Sequence, residues 1–366
     1  MSIRQLSVTD FRNFVSQQLQ PGPDFNVICG ANGSGKTSLL EAIYFLAHGR
    51  SFRTSRLPRM IRFEAAQCTV HAKLQLAQQV ITLGMQRSRQ GELSLRINGD
   101  SAHRLADIAH YLPVQLITPD SFRIFFGGPK ERRHFFDMGL FHVEPSFFQQ
   151  WLLFSKANKQ RNALLKQRSS PEQFNYWDQY FCQSAEVITE LRQSYMVKLA
   201  TEFELLVAKH EILSEVSLQF YPGWSDSQPL MELLQNNMAS DLKMGFTQLG
   251  PQKADLRIKV QQQPAEEVLS RGQLKMLLFA LKIAQSNVIG REGNKQPILL
   301  IDDLASELDA DSIQQVFQLL KTINSQVFVT AIDPDPVLQQ MSPATTAVFH
   351  VEHGNLTART DNYGRT

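Results

Sequence analysis

Residues 30–37 read Gly30-Ala31-Asn32-Gly33-Ser34-Gly35-Lys36-Thr37 and fit the pattern G-x-x-x-x-G-K-[ST] at every position. That pattern wraps backbone N–H groups around a polyphosphate at a helix N-terminus. It assigns Lys36 to the β/γ-phosphates, where it neutralises charge during the reaction, and the Thr37 hydroxyl to Mg²⁺. The implied ligand is ATP or GTP. A phosphoryl-transfer site also needs carboxylates, and Pro297-Ile298-Leu299-Leu300-Ile301-Asp302-Asp303 supplies two after an apolar run. Asp302 is expected to hold Mg²⁺ through water, and Asp303 to orient or deprotonate the attacking water. Taken alone, the segment also reads as a strand ending in a solvated acidic turn; beside a phosphate loop, the metal reading is favoured.

Positioning these groups requires strands that end at one edge of a sheet. Phe25–Cys29 reads as a short buried strand, and Leu39, Leu40, Ile43, Tyr44, Leu46 and Ala47 recur at helical spacing behind the loop. Ile298–Ile301 reads as a buried parallel strand, whose carboxyl end is where open α/β sheets bind ligands.

Between the two halves lies Leu269-Ser270-Arg271-Gly272-Gln273, ahead of an apolar helical pattern. On its own it is a capped helix. Ahead of an acid-tipped strand it looks like the signature motif of ABC-type ATPases, in which Ser270 and Gly272 contact nucleotide. Ser306-Glu307-Leu308-Asp309 resembles their D-loop. Lys36 and Asp302 stand much further apart than the matching residues of transporter-type ATP subunits. A sizeable insertion therefore separates them, as in SMC-like repair ATPases, but without the sustained heptads of long coiled-coil arms.

Several further stretches resemble the RecF family of bacterial recombination-repair proteins along essentially the whole chain. These are Asp10-Phe11-Arg12-Asn13-Phe14, Gly49-Arg50-Ser51-Phe52-Arg53, Gln115–Asp120, and Gly127-Gly128-Pro129-Lys130-Glu131-Arg132-Arg133 with Phe136-Asp137. Gly250–Leu256 is similar to a family segment in which histidine usually stands at the position of Gln252. The resemblance implies ATP and Mg²⁺ as cofactors, Arg12 on the nucleotide side, and a homodimer that sandwiches ATP. It also implies binding to single-stranded, double-stranded and gapped DNA, partnership with RecO and RecR, loading of RecA, and a part in the SOS response. Thr330, at a strand position after which transporter-type enzymes carry histidine, and Asp303, where they use glutamate, suggest slow hydrolysis used as a switch.

The expected fold class is α/β: an ABC-type, SMC-head-like P-loop lobe with a side β-sheet and an inserted, mainly helical second lobe. The expected divisions are 1–119, 120–249 and 250–366. Cys68–Leu76, Val80–Met85 and Leu93–Ile97 read as antiparallel side strands, and Leu218–Tyr221 as a strand in the insertion. The aromatic run Phe135, Phe136, Phe141, Phe147, Phe148, Trp151 and Phe154 reads as helix core rather than as a base-stacking surface. The polar tail from Thr357 is expected to fray.

A hydrophobic content of 43% with 20% charged residues excludes disorder. No apolar run is long enough to span a membrane, Met1-Ser2-Ile3-Arg4-Gln5 lacks the apolar core of a signal peptide, and three cysteines give neither a disulfide framework nor a zinc site, so the expected location is cytoplasmic. A net charge of +2 makes local distribution decisive. Arginines recur at every third position from Arg50 through Arg53, Arg56 and Arg59 to Arg62, with no acid between them. Arg56, Arg59 and Arg62 are read as phosphate contacts rather than a solvated loop. A second acid-free block holds Lys156, Lys159, Arg161, Lys166 and Arg168; Lys156, Lys159 and Lys166 fall near one helix face, read either as a solvated face or as a contact for DNA backbone or an acidic partner protein. Neither block has groove-reading architecture, so sequence-specific recognition is not expected. The competing readings are an ATP-driven transport subunit and another P-loop NTPase.

Overall fold

The computed structural model describes residues 1–303 and 310–359. The chain divides into two compact units, Met1–Ser121 with Leu278–Thr366, and Phe122–Leu277.

The first unit holds two six-stranded sheets. One follows the order Asn355–Arg359, Thr346–Glu352, Phe25–Cys29, Val327–Ala331, Ile298–Ile301, Val114–Ile117, and is parallel except for the first pair. The acid-tipped strand and Val327–Ala331 are buried at every residue, as strands covered on both faces must be. The other sheet is antiparallel and runs Phe14–Leu19, Ser2–Phe11, Gln67–Leu76, Gln79–Ser88, Leu93–Ile97, Asp100–Ala102. Three of its strands follow the alternation read from sequence; the chain's first two strands extend it. Helix Lys36–His48 is buried almost all round. Its Leu39, Leu40, Ile43, Phe45 and Leu46 join one core with Leu6, Val8, Val70 and Leu83 of the antiparallel sheet and Ile28, Leu300 and Phe328 of the parallel one. Burial of each such side chain stabilises by about 1.5–3 kcal/mol, and it holds the phosphate-loop helix rigid from two sides.

The second unit is helical around a three-stranded antiparallel sheet. Phe147–Gln167 and the long helix Phe174–Val207 pack on one another, and Val216–Tyr221, Asp255–Val260 and Gln263–Pro264 form the sheet. The expected division at residue 249 differs from the compact division after Leu277. The cause is strand pairing: Asp255–Val260 registers residue for residue against Val216–Tyr221. Helix Arg271–Glu292 then carries the chain across the boundary between the units.

Two expectations are corrected. Asn355–Arg359 is a strand paired with Thr346–Glu352, so residues 357–359 do not fray, their backbone groups being taken up by the ladder; the rest of the expected tail, 360–366, lies outside the described residues. Arg161 is not part of a basic surface. It is fully buried, donating to Asp178 at 2.9 Å, to Asp241 at 2.6 Å and to the Thr247 hydroxyl at 2.8 Å. In the aromatic run, Phe135, Phe136, Phe147 and Phe154 are buried, whereas Phe148 and Trp151 are partly exposed.

Arg161→Ala leaves two carboxylates facing each other in the helical core. It is expected to cost about 3–5 kcal/mol, whereas Lys159→Ala at an exposed position should stay within about 0.5 kcal/mol. Urea unfolding followed by far-UV circular dichroism measures both, and equal midpoints for the two variants would contradict the buried network.

Candidate functional site

Three strands of the parallel sheet end side by side, and each delivers one part of the site. Cys29 leads into the phosphate loop, Ile301 into Asp302-Asp303, and Thr330 is the last residue but one of the strand between them. The loop is kept tight by Gly30, whose φ is +151° and at which a Cβ would meet the Val351 carbonyl oxygen at 2.3 Å. Lys36 Nζ donates to the carbonyls of Gly30 at 2.7 Å and Ala31 at 2.9 Å, curling the loop around the ammonium. Burial lowers the Lys36 pKa from its usual value, against the opposing pull of Asp303 and Asp302.

Across 265 positions of sequence, the Thr37 hydroxyl donates to Asp302 Oδ1 at 2.9 Å. Thr330 Oγ1 donates to the same oxygen at 2.8 Å and accepts the Asp303 backbone N–H at 2.8 Å. Burial raises the Asp302 pKa above the ordinary carboxylate range; the bonds from Thr330 and Thr37 oppose that, Asp303 adds to it, and Arg53 offsets part of it. Asp303 itself sits in the left-handed region, with φ 59°. Asn32, Gly33, Gly35, Lys36, Thr37, Ser38, Arg53, Pro119, Asp302, Asp303, Thr330 and Ile332 line a cleft of about 250 Å³. A cleft with backbone donors, one lysine, a hydroxyl and two carboxylates suits an anion bound together with a hard cation.

Several contributors escape the sequence motifs. Asn13 Nδ2 donates to the Ser34 carbonyl at 2.7 Å, and the Gly354 N–H donates to the same carbonyl at 3.2 Å. Gly354 has φ 78°, and a Cβ there would meet the Asn13 carbonyl oxygen at 2.4 Å. The first hairpin turn and the last one therefore clasp the phosphate loop. Asn13 and Arg53 lie within stretches resembling the RecF family; the resemblance and nearness to the phosphate-loop helix suggest a nucleotide-side or structural role for Arg53, and Arg53 lines the cleft, whereas no role is read for Asn13. For Gly354 the only available signal was a His-Gly turn between two short apolar runs.

Not every expected site residue reaches the cleft. Arg12 does not line it: its guanidinium grips the fully buried Glu41 carboxylate at 2.5 and 2.8 Å and donates to the Arg59 carbonyl at 2.9 Å. Glu41 also accepts from the Ser51 hydroxyl and lies 3.7 Å from Arg53. Arg56 and Arg59 are exposed, but Arg62 is half-buried and pairs with Asp10 at 2.6 Å. The arginine run is thus not uncompensated; acids from distant positions, Asp10 and Glu41, face its members. Its far end is also held to the first strand, through Phe11 bridged to Ile61 and the Arg12 N–H on the Met60 carbonyl. Lys156 and Lys159 are exposed on helix Phe147–Gln167 of the second unit.

Ser270 and Gly272 also belong to the second unit. The Ser270 hydroxyl accepts the Gln273 N–H at 3.3 Å, and Gln273 Oε1 accepts the Ser270 N–H at 2.8 Å, a reciprocal capping box. Gly272 is exposed, with open space where a Cβ would stand. The segment likened to a D-loop, Ser306–Asp309, lies outside the described residues.

Fold and site together define an α/β P-loop protein of the ABC-type, SMC-head class. A family model described as the RecF/RecN/SMC N terminal domain matches residues 2–357. The DNA replication and repair protein RecF of Shewanella piezotolerans is 43% identical over 357 residues, covering 98% of this chain and 99% of the relative. The chain belongs to the RecF family. Two solved structures share its fold. The recombination mediator protein RecF-ATPrS of the RecFOR pathway superposes with a TM-score of 0.85 at 23% identity, covering 98% of each chain. An Smc head bound to the C-winged helix domain of ScpA gives a TM-score of 0.61 at 16% identity, covering 98% of this chain and 97% of that one.

Asn13→Ala removes the side-chain bond to the loop carbonyl. ATP affinity is expected to fall by about 0.5–1.5 kcal/mol, read by isothermal titration calorimetry. Unchanged affinity would mean that Gly354 alone holds the loop.

Proposed function

We propose that this protein is an ATP-switched DNA-binding protein of recombinational repair and replication. The observation that carries the reading is the bond from Thr37 to Asp302, which joins the phosphate loop to the acidic strand. A hydroxyl and a carboxylate at that separation are the two protein oxygens that Mg²⁺ takes alongside phosphate oxygens and water. Bound ATP would lay its β- and γ-phosphates against the N–H groups of residues 31–37, with Lys36 neutralising them. Mg²⁺ would lower the charge on the transferred phosphoryl group and its partners. Asp303 orients or deprotonates the attacking water from its position beside Asp302. Its short side chain, together with the absence of a histidine beside Thr330, supports slow turnover that serves as a release switch rather than a metabolic flux.

The open helix start at Ser270 and Gly272 supports a two-protomer sandwich. Each chain's capped helix faces the nucleotide held by its partner, so that ATP completes the interface. Arg56 and Arg59, both exposed, are favoured for DNA-backbone contact, with the exposed Lys156 and Lys159 as the second candidates. Arg62 is retained only as a weaker candidate, because Asp10 already offsets its charge. Binding of this kind reads phosphate and shape, in single-stranded, double-stranded or gapped DNA, rather than sequence. Relatives named DNA replication and repair protein RecF, and a neighbour described as a recombination mediator protein in the RecFOR pathway, support this assignment; RecO and RecR as partners and RecA loading are what the family resemblance implies. The long insertion between Lys36 and Asp302 and the histidine-free strand at Thr330 argue against a transport subunit.

Asp303→Asn should retain ATP binding, slow hydrolysis, and accumulate an ATP-bound dimer, since the amide is nearly isosteric but a poor base. Ser270→Arg in that background should leave binding by the monomer intact and abolish dimerisation by placing bulk and unpaired charge at the interface. Multi-angle light scattering with excess ATP separates the two; dimers of the double variant would reduce Ser270 to a helix cap.

Neutralising Arg56 and Arg59 together should flatten the log–log salt dependence of duplex DNA binding by about 1.8, at about 0.9 per lost phosphate contact. Fluorescence anisotropy at several salt concentrations gives the slope. An unchanged slope would assign these arginines to a solvated face.

A further inference from the structure

Thr330 is buried at 1% exposure, yet its hydroxyl makes two polar bonds at once. It donates to Asp302 Oδ1 at 2.8 Å and accepts the Asp303 N–H at 2.8 Å. A hydroxyl has one proton and two lone pairs, so this pairing fixes its direction: the proton goes to Asp302. Asp302 Oδ1 then carries two donors, Thr37 at 2.9 Å and Thr330. One arrives from the strand on the far side of Val327–Ala331, through the phosphate loop, and the other from that strand itself. Asp303 needs such a tether for a separate reason. Its φ of 59° lies in the left-handed region, which aspartate visits more readily than most residues with a Cβ but still seldom, so a fixed acceptor for its N–H helps to hold that conformation.

We propose that Thr330 is the positioning residue of this site: one hydroxyl locks the Asp302 carboxylate toward Thr37 and pins the Asp303 backbone in its left-handed turn. The inference rests on the proposed ATP–Mg²⁺ reading and deepens it. In that reading Asp302 addresses the metal and Asp303 the attacking water. Thr330 touches neither metal nor water; it sets the angle between the two groups that do. Side chains that hold a metal ligand from behind in this way are worth about 10- to 100-fold in metal affinity or activity when removed.

The test compares Thr330→Val, which keeps the branched shape in a buried strand and removes the hydroxyl, with Thr330→Ser, which keeps the hydroxyl. Full-length protein freed of metal and saturated with a fluorescent ATP analogue is titrated with Mg²⁺. Thr330→Val should need about 10- to 100-fold more Mg²⁺ for the half-maximal response, while Thr330→Ser stays close to wild type. In steady-state hydrolysis, Thr330→Val should lower kcat with little change in KM. Adding it to Asp303→Asn should cost less in kcat than it does alone, because part of its effect runs through Asp303. Should the valine variant fail to fold, Thr330→Ala carries the same comparison. A folded valine or alanine variant with the wild-type Mg²⁺ titration and kcat overturns the proposal. So does a serine variant as impaired as valine, which would make the position one of packing alone. Wild-type protein that binds nucleotide without any response to Mg²⁺ would instead overturn the metal assignment to Thr37 and Asp302, and the role of Thr330 with it.

Discussion

One half-buried carboxylate constrains the site. Asp302 stands at the carboxyl end of a strand whose four residues are all buried, where its negative charge is poorly solvated. Two hydroxyls compensate, and each comes from a different part of the chain: Thr37 from the first turn of the phosphate-loop helix and Thr330 from the intervening strand. Without Asp302 those donors lose their shared acceptor; without them the carboxylate is a buried charge with too few partners. Mutual dependence of this kind ties the N-terminal and C-terminal halves into one unit at the point where a metal ion would sit.

The loop itself is held from the outside. Its Ser34 carbonyl accepts from Asn13 and Gly354, which belong to hairpin turns near opposite ends of the chain. Behind it, the buried Glu41 on the same helix draws in Arg12, Ser51 and Arg53, so the arginine-rich segment after the helix is anchored next to the cleft. Arg53 lines the cleft while facing Glu41, and it also lowers the electrostatic load on Asp302. Glu41 on the helix thus gathers arginines from outside it: Arg12 stays behind the phosphate loop, while Arg53 also reaches the cleft.

Arginine serves two different purposes in this chain. Arg161 and Arg192 are buried forks in the helical unit, the first bridging Asp178 and Asp241 and the second gripping Asp137 at 2.8 and 2.9 Å and the Pro251 carbonyl at 2.8 Å. They bind helices to the segment that leads into the three-stranded sheet, a role that suits a planar guanidinium with several donors. Arg56 and Arg59 remain exposed and available to an anion. Nothing in the side-chain type distinguishes the two groups; burial and the nearest carboxylate do.

Local chemistry was legible from residues alone. The phosphate loop, the acid-tipped strand, the capping at Ser270, the alternating side strands and the helical insertion all follow from periodicity, turn residues and spacing, because each is set by neighbours within a few positions. The likeness of scattered stretches to the RecF family added the identity of the whole. Tertiary structure alone decided which distant groups meet. It paired Arg62 with Asp10 and Arg12 with Glu41, buried Arg161 within a lysine-rich helix, moved 250–277 into the helical unit through the pairing of Asp255–Val260, and brought Thr330, Asn13 and Gly354 to the phosphate loop. The reason is physical: a charge or a backbone amide takes the partner that burial leaves beside it, and that partner is fixed by sheet order and core packing rather than by separation along the chain.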